Sequence, residues 1–395
     1  MTRRWIRLGL APALAALAPS CVLPADTAER RAQADRFSAV LAPSPPAAYL
    51  GLVERVGAIH VHTELSHDSE GTLDELAAGA RAAGLDFVFT TEHPSPRQTE
   101  GFRGRKNGVD FFPGLEMKAR GGSLLVLDDV LVTEARNTPL ADVVRDVRSR
   151  GGLVVAGHVE EHDPKLDLSP VDAIGVFNLH AAVKETGPVA LAPPLIFTHL
   201  FYRGGLEWLP LVRVRTANLA AWDLYRLPGV AEADAHQNVS VLGMRLDPYE
   251  KSLGFCRNHF FASASEESAV ALKEAIRAGR GFIAFDFLAD STGSRFWTEG
   301  PRGLSSALGA AVPFSPGMRI RAELPASATI RLVRDGEAYR VAEGRSLDFP
   351  LETSGDYRFE VFLPVLGRAT PWILTNPIRV APPVPLVKSA PPETR

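Results

Sequence analysis

Val56-Gly57-Ala58-Ile59-His60-Val61-His62 decides how the rest of the chain is read. Val56–Val61 is a short apolar run with β-branched residues, which predicts a buried strand. In an extended strand, residues two apart face the same way, so His60 and His62 at its end point toward one site. A single His-x-His is a weak signal. Its weight depends on what the neighbouring segments place beside it.

Working outward, Thr72–Ala83 has helical spacing, with Leu73, Leu76, Ala77 and Ala80 on one face. Thr72 and Glu75 form a capping-box pattern, and Gly84 ends the helix. Strands are expected at Asp86–Thr91, within Val109–Met117, and at Leu124–Leu127, Leu153–Ala156, Ala173–Phe177, Val230–Ala233 and Gly281–Phe285. Helices are expected at Pro139–Arg150, Asn218–Arg226 and Glu266–Ala278. Apolar strands alternating with helices imply an α/β chain of parallel β/α units in a closed or nearly closed barrel, with its chemistry at the strand ends. After about residue 290 the helical period stops. Short strand candidates follow at Met318–Glu323, Thr329–Val333, Ser346–Leu351, Tyr357–Leu363 and Pro371–Ile373, the pattern of a small all-β, sandwich-like domain.

Polar residues recur at the expected strand ends. Asp68 follows the first strand, His93 the second, Glu116 the third, and His158 closes Val154-Val155-Ala156-Gly157. Asn178 and His180 follow Ile174-Gly175-Val176-Phe177, and Asp234-Ala235-His236 repeats the two-apart spacing after Val230–Ala233. Imidazole and carboxylate are ligands for Zn²⁺, Mn²⁺ and Fe²⁺. A set this large exceeds the need of one metal and suits two or three. A lone strand-end Glu is ordinarily a surface residue, and Asp234 alone reads as a helix cap. The joint occurrence at equivalent positions is the signal.

The order His-x-His, Ser-(x)-Asp, a Thr-Asp-His-like Thr91-Glu92-His93, Gly-x-Glu, Gly-His and Asp-Ala-His resembles the polymerase and histidinol phosphatase (PHP) superfamily, over roughly residues 52–285. The resemblance implies a distorted, TIM-like β/α barrel of seven strands, a site of two or three divalent metal ions (Zn, Mn or Fe) and hydrolysis of phosphoesters. Carried over motif by motif, it implies metal ligation by His60, His62, Asp68, His93, Glu116, His158, His180, Asp234 and His236, with Glu116 bridging metals. Glu116, His93 and Asp234 are the implied catalytic residues. The chain departs from the family at Glu92, where Asp is usual, and at Gly175, where many members have Glu, which makes His180 the least secure ligand. His67 competes with Asp68 for one role. The C-terminal stretch Gly355–Val361 and Pro371–Ile378 resembles the β-rich appendage of some exported members.

Clustered cations would neutralise phosphate oxygens and acidify water for in-line attack. Because imidazoles must be neutral to bind, metal occupancy should fall in mild acid. Glu92 is expected to orient ligand imidazoles from behind. The loop 94–107 offers Arg97, Arg103, Arg105 and Lys106 as phosphate-binding cations, or as a solvated basic loop. Two motifs are decoys. His158-Val159-Glu160-Glu161-His162 lacks the Glu that a helical zinc-protease motif places directly after its first His. Gly121-Gly122-Ser123 lacks nucleophile-elbow spacing. His199 and His259 have no identifiable partners.

The chain has 395 residues, 43 Lys+Arg, 46 Asp+Glu and a net charge of −3, so no strong nucleic-acid signature is present. Two cysteines exclude a disulfide scaffold. Arg3, Arg4 and Arg7 precede the apolar Leu8–Leu17, the pattern of a secretory signal over 1–24. Cys21 resembles the lipidated cysteine of a bacterial lipoprotein, although Ala18 and Pro19 depart from that motif; ordinary cleavage is the alternative. The expected organisation is a signal (1–24), a tether (25–48), the barrel (49–288), the β domain (289–381) and a tail (382–395). The expected product is an exported phosphoesterase acting on a small phosphorylated substrate, periplasmic or membrane-anchored through Cys21. Alternatives are an amidohydrolase-like enzyme and a non-catalytic surface protein that retains the metal fold.

Overall fold

The computed structural model describes residues 49–132, 135–187, 206–241, 244–265, 268–303, 305–365 and 367–383. The expected signal, Cys21, tether and His199, and the tail from 384, lie outside the described residues. The chain runs β1 (Leu52–Val61), α1 (Leu73–Ala82), β2 (Phe87–Phe89), β3 (Gly104–Lys106), β4 (Val109–Phe112), β5 (Leu115–Ala119), β6 (Gly122–Leu127), α2 (Leu140–Ser149) and β7 (Leu153–Gly157). It continues through β8 (Ala173–Asn178), α3 (Leu179–Thr186), α4 (Thr216–Tyr225), β9 (Gly229–Ala235), β10 (Ser240–Val241), β11 (Met244–Arg245), α5 (Tyr249–Phe255), β12 (Arg257–Ser263), α6 (Ser268–Ala278) and β13 (Gly281–Ala284). Beyond these come only strands and one short 3₁₀ turn among the described residues: β14 (Arg295–Glu299), β15 (Ser305–Ala307), β16 (Ala311–Pro313), β17 (Arg319–Arg334), β18 (Glu337–Pro350), β19 (Gly355–Val365), β20 (Arg368–Thr375) and β21 (Ile378–Ala381).

The strand pairings of the first half return on themselves. β1 pairs in parallel with β2 and with β9, β9 with β8, and β8 with β7. The other side closes through antiparallel β7–β6 and β6–β5 and a parallel bridge from Glu92 to Leu115. The regular strand–helix alternation expected from the sequence is therefore broken. Arg120-Gly121 is a two-residue hairpin, with Gly121 at φ +89°, so β6 runs against its neighbours without a crossover helix. The molecule is mixed α/β and strand-rich.

Side chains explain the ring. Its strands are apolar nearly throughout, and Ile59, Phe87, Phe89, Leu125, Leu153, Val155 and Val230 are buried in one cluster, as strands covered on both faces require. α1 forms as read, with Thr72 and Glu75 exchanging both capping-box hydrogen bonds; its Leu76, Ala77 and Ala80 pack with Val56, Ala58 and Val88. No described helix is long and apolar enough to cross a membrane.

The second half is joined to the first by a continuous sheet. β12 pairs with the first part of β1, β13 with β12, and β20 with β13 through Phe282↔Thr375 to Ala284↔Ile373. β17 was expected as two strands. It is one, bent where its ladder to β18 stops at Glu323 and resumes at Ala328 around Pro325, which has no N–H to donate. Its first part pairs with β14 and its second with β19.

His259, which lacked partners in the sequence, is fully buried at this junction. Its Nδ1 lies 2.9 Å from Glu54 and its Nε2 2.6 Å from Asp286. Arg295 pairs with Glu54 and Arg257 with Asp286.

Candidate metal centre

β1, β9 and β7 end at one rim of the ring, with β8 between the last two, and the sequence at those ends does not continue a regular strand. His60 (φ +68°), His158 (φ +49°) and Asp234 (φ +45°) all adopt left-handed backbone. Only eight described non-glycine residues do so, and three of them meet at one point. Such strain persists where surrounding structure enforces it, and it clusters at functional sites. At His60 it coincides with a register shift between Ile59 and Val61 against β9. The two histidines of His60-Val61-His62 thus converge through a bulge rather than through simple alternation.

Glu116 is the hub. The sequence placed it at a strand end, whereas it is the second residue of β5, brought in because Glu92 bridges to Leu115. Gly114 allows the approach: a Cβ there would stand 2.1 Å from the carbonyl oxygen of Val126. Glu116 Oε2 lies 3.3 Å from His60 Nε2, 3.4 Å from His62 Nε2 and 3.6 Å from His93 Nδ1. Glu116 Oε1 lies 3.5 Å from His158 Nε2 and accepts a 2.8 Å hydrogen bond from Ser123 Oγ. Asp234 faces it, with Oδ1 3.3 Å from His60 Nε2 and Oδ2 3.2 Å from His158 Nε2. At the outer side, Asp68 Oδ2 lies 3.1 Å from His93 Nε2 and 3.5 Å from His236 Nε2.

These separations suit ligands around cations. Donors about 2.1 Å from a tetrahedral metal stand about 3.4 Å from one another. The Nε2 atoms of His60 and His62 and Oδ1 of Asp68 are buried without a hydrogen bond, a costly state unless something else satisfies them. Three overlapping groups could each hold an ion: His62, Asp68, His93 and His236; His60, Glu116 and His158; and His60, His62 and Asp234.

Further carboxylates and hydroxyls fix the imidazoles. Glu232 Oε2 lies 2.8 Å from His60 Nδ1, so that nitrogen carries the proton and Nε2 is left to face the site. Glu232 also accepts from the backbone N–H of His158 and from Asn178 Nδ2. The sequence reading missed it, although Glu232, Asp234 and His236 are spaced two apart along β9 and its end. Glu232 occupies the space above Gly175, where a Cβ would stand 1.7 Å from Oε1. The space that a side chain at position 175 would take is filled from the neighbouring strand. Glu92 acts at one remove. It accepts from Ser66 Oγ at 2.6 Å, and Ser66 Oγ in turn accepts from His62 Nδ1 at 3.1 Å and from the His93 N–H at 2.9 Å.

Electrostatics follow the crowding. Burial pushes His62 down to about 4, so it is neutral at pH 7. Burial also opposes charge on His60, yet Asp234 and Glu116 outweigh it and hold that imidazole well above its usual range. Despite burial, the imidazoles hold Glu116, Asp234 and Asp68 well below the carboxylate range. Anionic carboxylates around imidazole nitrogens form a pocket in which cations and protons compete.

Not every expected residue joins. His180 is exposed on α3, its ring 5.6 Å from that of His236, and belongs to none of the three groups. His67 is likewise exposed, 4.9 Å from the His93 ring. His162 turns its Nε2 to the Gly157 carbonyl, 2.6 Å away, so the His158…His162 pair holds no common ion. Arg103 and Arg105 are taken out of the expected phosphate-binding set. They pair with Asp128 and Asp110, which lie after antiparallel β6 and beside the start of β2, at the end of the ring opposite the ligands. Lys106 pairs with Asp74. Arg97 stays on the ligand side, in a 200 Å³ cavity with Thr63, Glu92 and Phe102, paired to Glu100 at 2.9 Å.

No family model matches the sequence, and no curated protein matches it as a relative. The structure is similar to the crystal structure of a two-domain protein from Bacteroides vulgatus said to contain a predicted PHP-like metal-dependent phosphoesterase. Identity is 15% and the TM-score 0.41, over 85% of this chain and 98% of that one. That likeness is too loose to assign fold or activity.

Proposed function

We propose that the chain is a metal-dependent hydrolase of phosphoesters, built on a distorted seven-stranded barrel. The observation that carries this reading is the convergence of five imidazoles and three carboxylates, with the buried Nε2 atoms of His60 and His62 lacking hydrogen bonds. His60, His62, Asp68, His93, Glu116, His158, Asp234 and His236 would hold two or three divalent ions. Such ions would supply Lewis acidity toward phosphate oxygens and acidify water. Ser123 keeps the Glu116 carboxylate turned so that each oxygen faces a different set of imidazoles. His93 spans Glu116 and Asp68 on the more open side, with its side chain 21% exposed. With Nδ1 toward Glu116 as its ligand atom, its Nε2 beside Asp68 would be left to carry a proton toward a departing alkoxide.

The test is direct. The full chain is purified, its metal content is measured, and phosphomonoesters and phosphodiesters are assayed with Mn²⁺, Zn²⁺ or Fe²⁺. A His60→Ala/His62→Ala double variant should lose metal and turnover together. Full metal loading without phosphoester hydrolysis sinks the reading. The N-terminal sequence supports export with a lipid anchor at Cys21; incorporation of labelled palmitate that disappears in Cys21→Ser is the expected result.

A further inference from the structure

Beside the metal centre lies a cavity of 390 Å³ lined by Lys118, Ala119, Gly122, Ser123, Arg136 and Glu161. It shares a wall with the ligands. Ser123 donates to Glu116, Lys118 Nζ stands 4.0 Å from Glu116 Oε1, and Glu161 belongs to the short turn Val159–Glu161 that follows His158. One of its cations is unpaired among the described residues and the other is held only by a 4.0 Å ion pair. Arg136 is exposed and has no ion pair among the described residues, and Lys118 is 54% exposed with Glu116 as its nearest acid. Glu161, the one acid in the lining, is paired with Lys184 at 3.0 Å. The cavity is therefore net positive, and its volume falls in the range of small-molecule sites.

Resting on the phosphoesterase reading, we propose that this cavity binds a second anionic group of the substrate, a phosphate or carboxylate carried on the alcohol side of the scissile ester. Arg136 offers a planar fork for two anionic oxygens and Lys118 a point charge. Lys118 stands beside Glu116 and Arg136 lines the same cavity, so a substrate with a second anionic group meets cations beyond the metal centre, whereas one without it leaves them unused. The preferred substrates are then small bisphosphates or phosphorylated acids, not phosphomonoesters of neutral alcohols.

The test compares glucose 1,6-bisphosphate with glucose 6-phosphate on the metal-loaded full chain, by turnover and by calorimetric binding. The expected result is a kcat/KM and an affinity at least tenfold higher for the bisphosphate, with that ratio falling toward one in Arg136→Met and in Lys118→Met. Equal values for the two compounds, or a ratio that both variants leave intact, overturn the proposal. If neither compound is hydrolysed, and the wider set of phosphomonoesters and phosphodiesters is not either, the phosphoesterase reading fails. Tighter binding of the bisphosphate that Arg136→Met abolishes would still support the anion site, and equal binding would still overturn it.

Discussion

At the scale of single residues, Glu232 and Gly175 form a pair whose parts make sense only together. A carboxylate in the interior is stable only when its partners are in place, and Glu232 has His60 Nδ1, the His158 N–H and Asn178 Nδ2. Glu232→Gln should keep the fold but weaken metal binding about 10- to 100-fold, the usual consequence of losing the group that fixes a ligand imidazole. Gly175→Ala should do the same without touching a ligand, because its Cβ falls 1.7 Å from Glu232 Oε1 and must displace it. Metal titration of both variants checks this; a Gly175→Ala protein that binds metal like the parent would sink the coupling. The imidazoles that converge were legible in the sequence as candidate ligands because each stands in a short strand-end motif. Glu232 was not, because an acid inside an Ala-rich strand looks like any buried strand residue until the neighbouring strand's glycine is seen beneath it.

At the scale of elements, two polar devices of similar appearance do different work. Thr72 caps α1 through hydrogen bonds within four residues. Thr72→Ala should cost about 1 kcal/mol of stability and leave metal affinity unchanged. Ser66 joins two strand ends, since it connects Glu92 and the backbone of His93 after β2 to the imidazole of His62 after β1. Ser66→Ala leaves the buried Glu92 short of a donor and should cost about 1–3 kcal/mol, together with a drop in metal affinity. Denaturant unfolding and metal titration on both variants separate the two cases. The α1 cap was readable from sequence because a capping box is local. The hairpin at Arg120-Gly121 that reverses β6, and the bend that makes β17 one strand, were not, because strand direction and continuity are set by partners far away in sequence.

At the scale of the whole molecule, two buried charge clusters should respond to pH in ways that can be told apart. The ligand cluster gathers groups that cations would satisfy, so a metal that binds only the folded state should raise Tm, with about 2.7 kcal/mol gained at one hundred times its Kd. That gain should fade in mild acid as imidazoles protonate. The junction cluster behaves otherwise. Despite complete burial, Asp286 and Glu54 raise His259 from 6.5 to about 9. A histidine raised in the folded state contributes stability that is fully present below about pH 6.5 and is lost as pH rises through about 9. A shift of that size amounts to about 3 kcal/mol. With chelator present, Tm should therefore fall between pH 6.5 and 9, and His259→Gln should flatten part of that slope while leaving metal affinity unchanged. The ligand histidines raised in the metal-free protein add to the parent slope, so the difference between parent and variant isolates the junction. Parallel pH profiles for the two proteins would show that the sheet joining the halves does not depend on the charged form of His259.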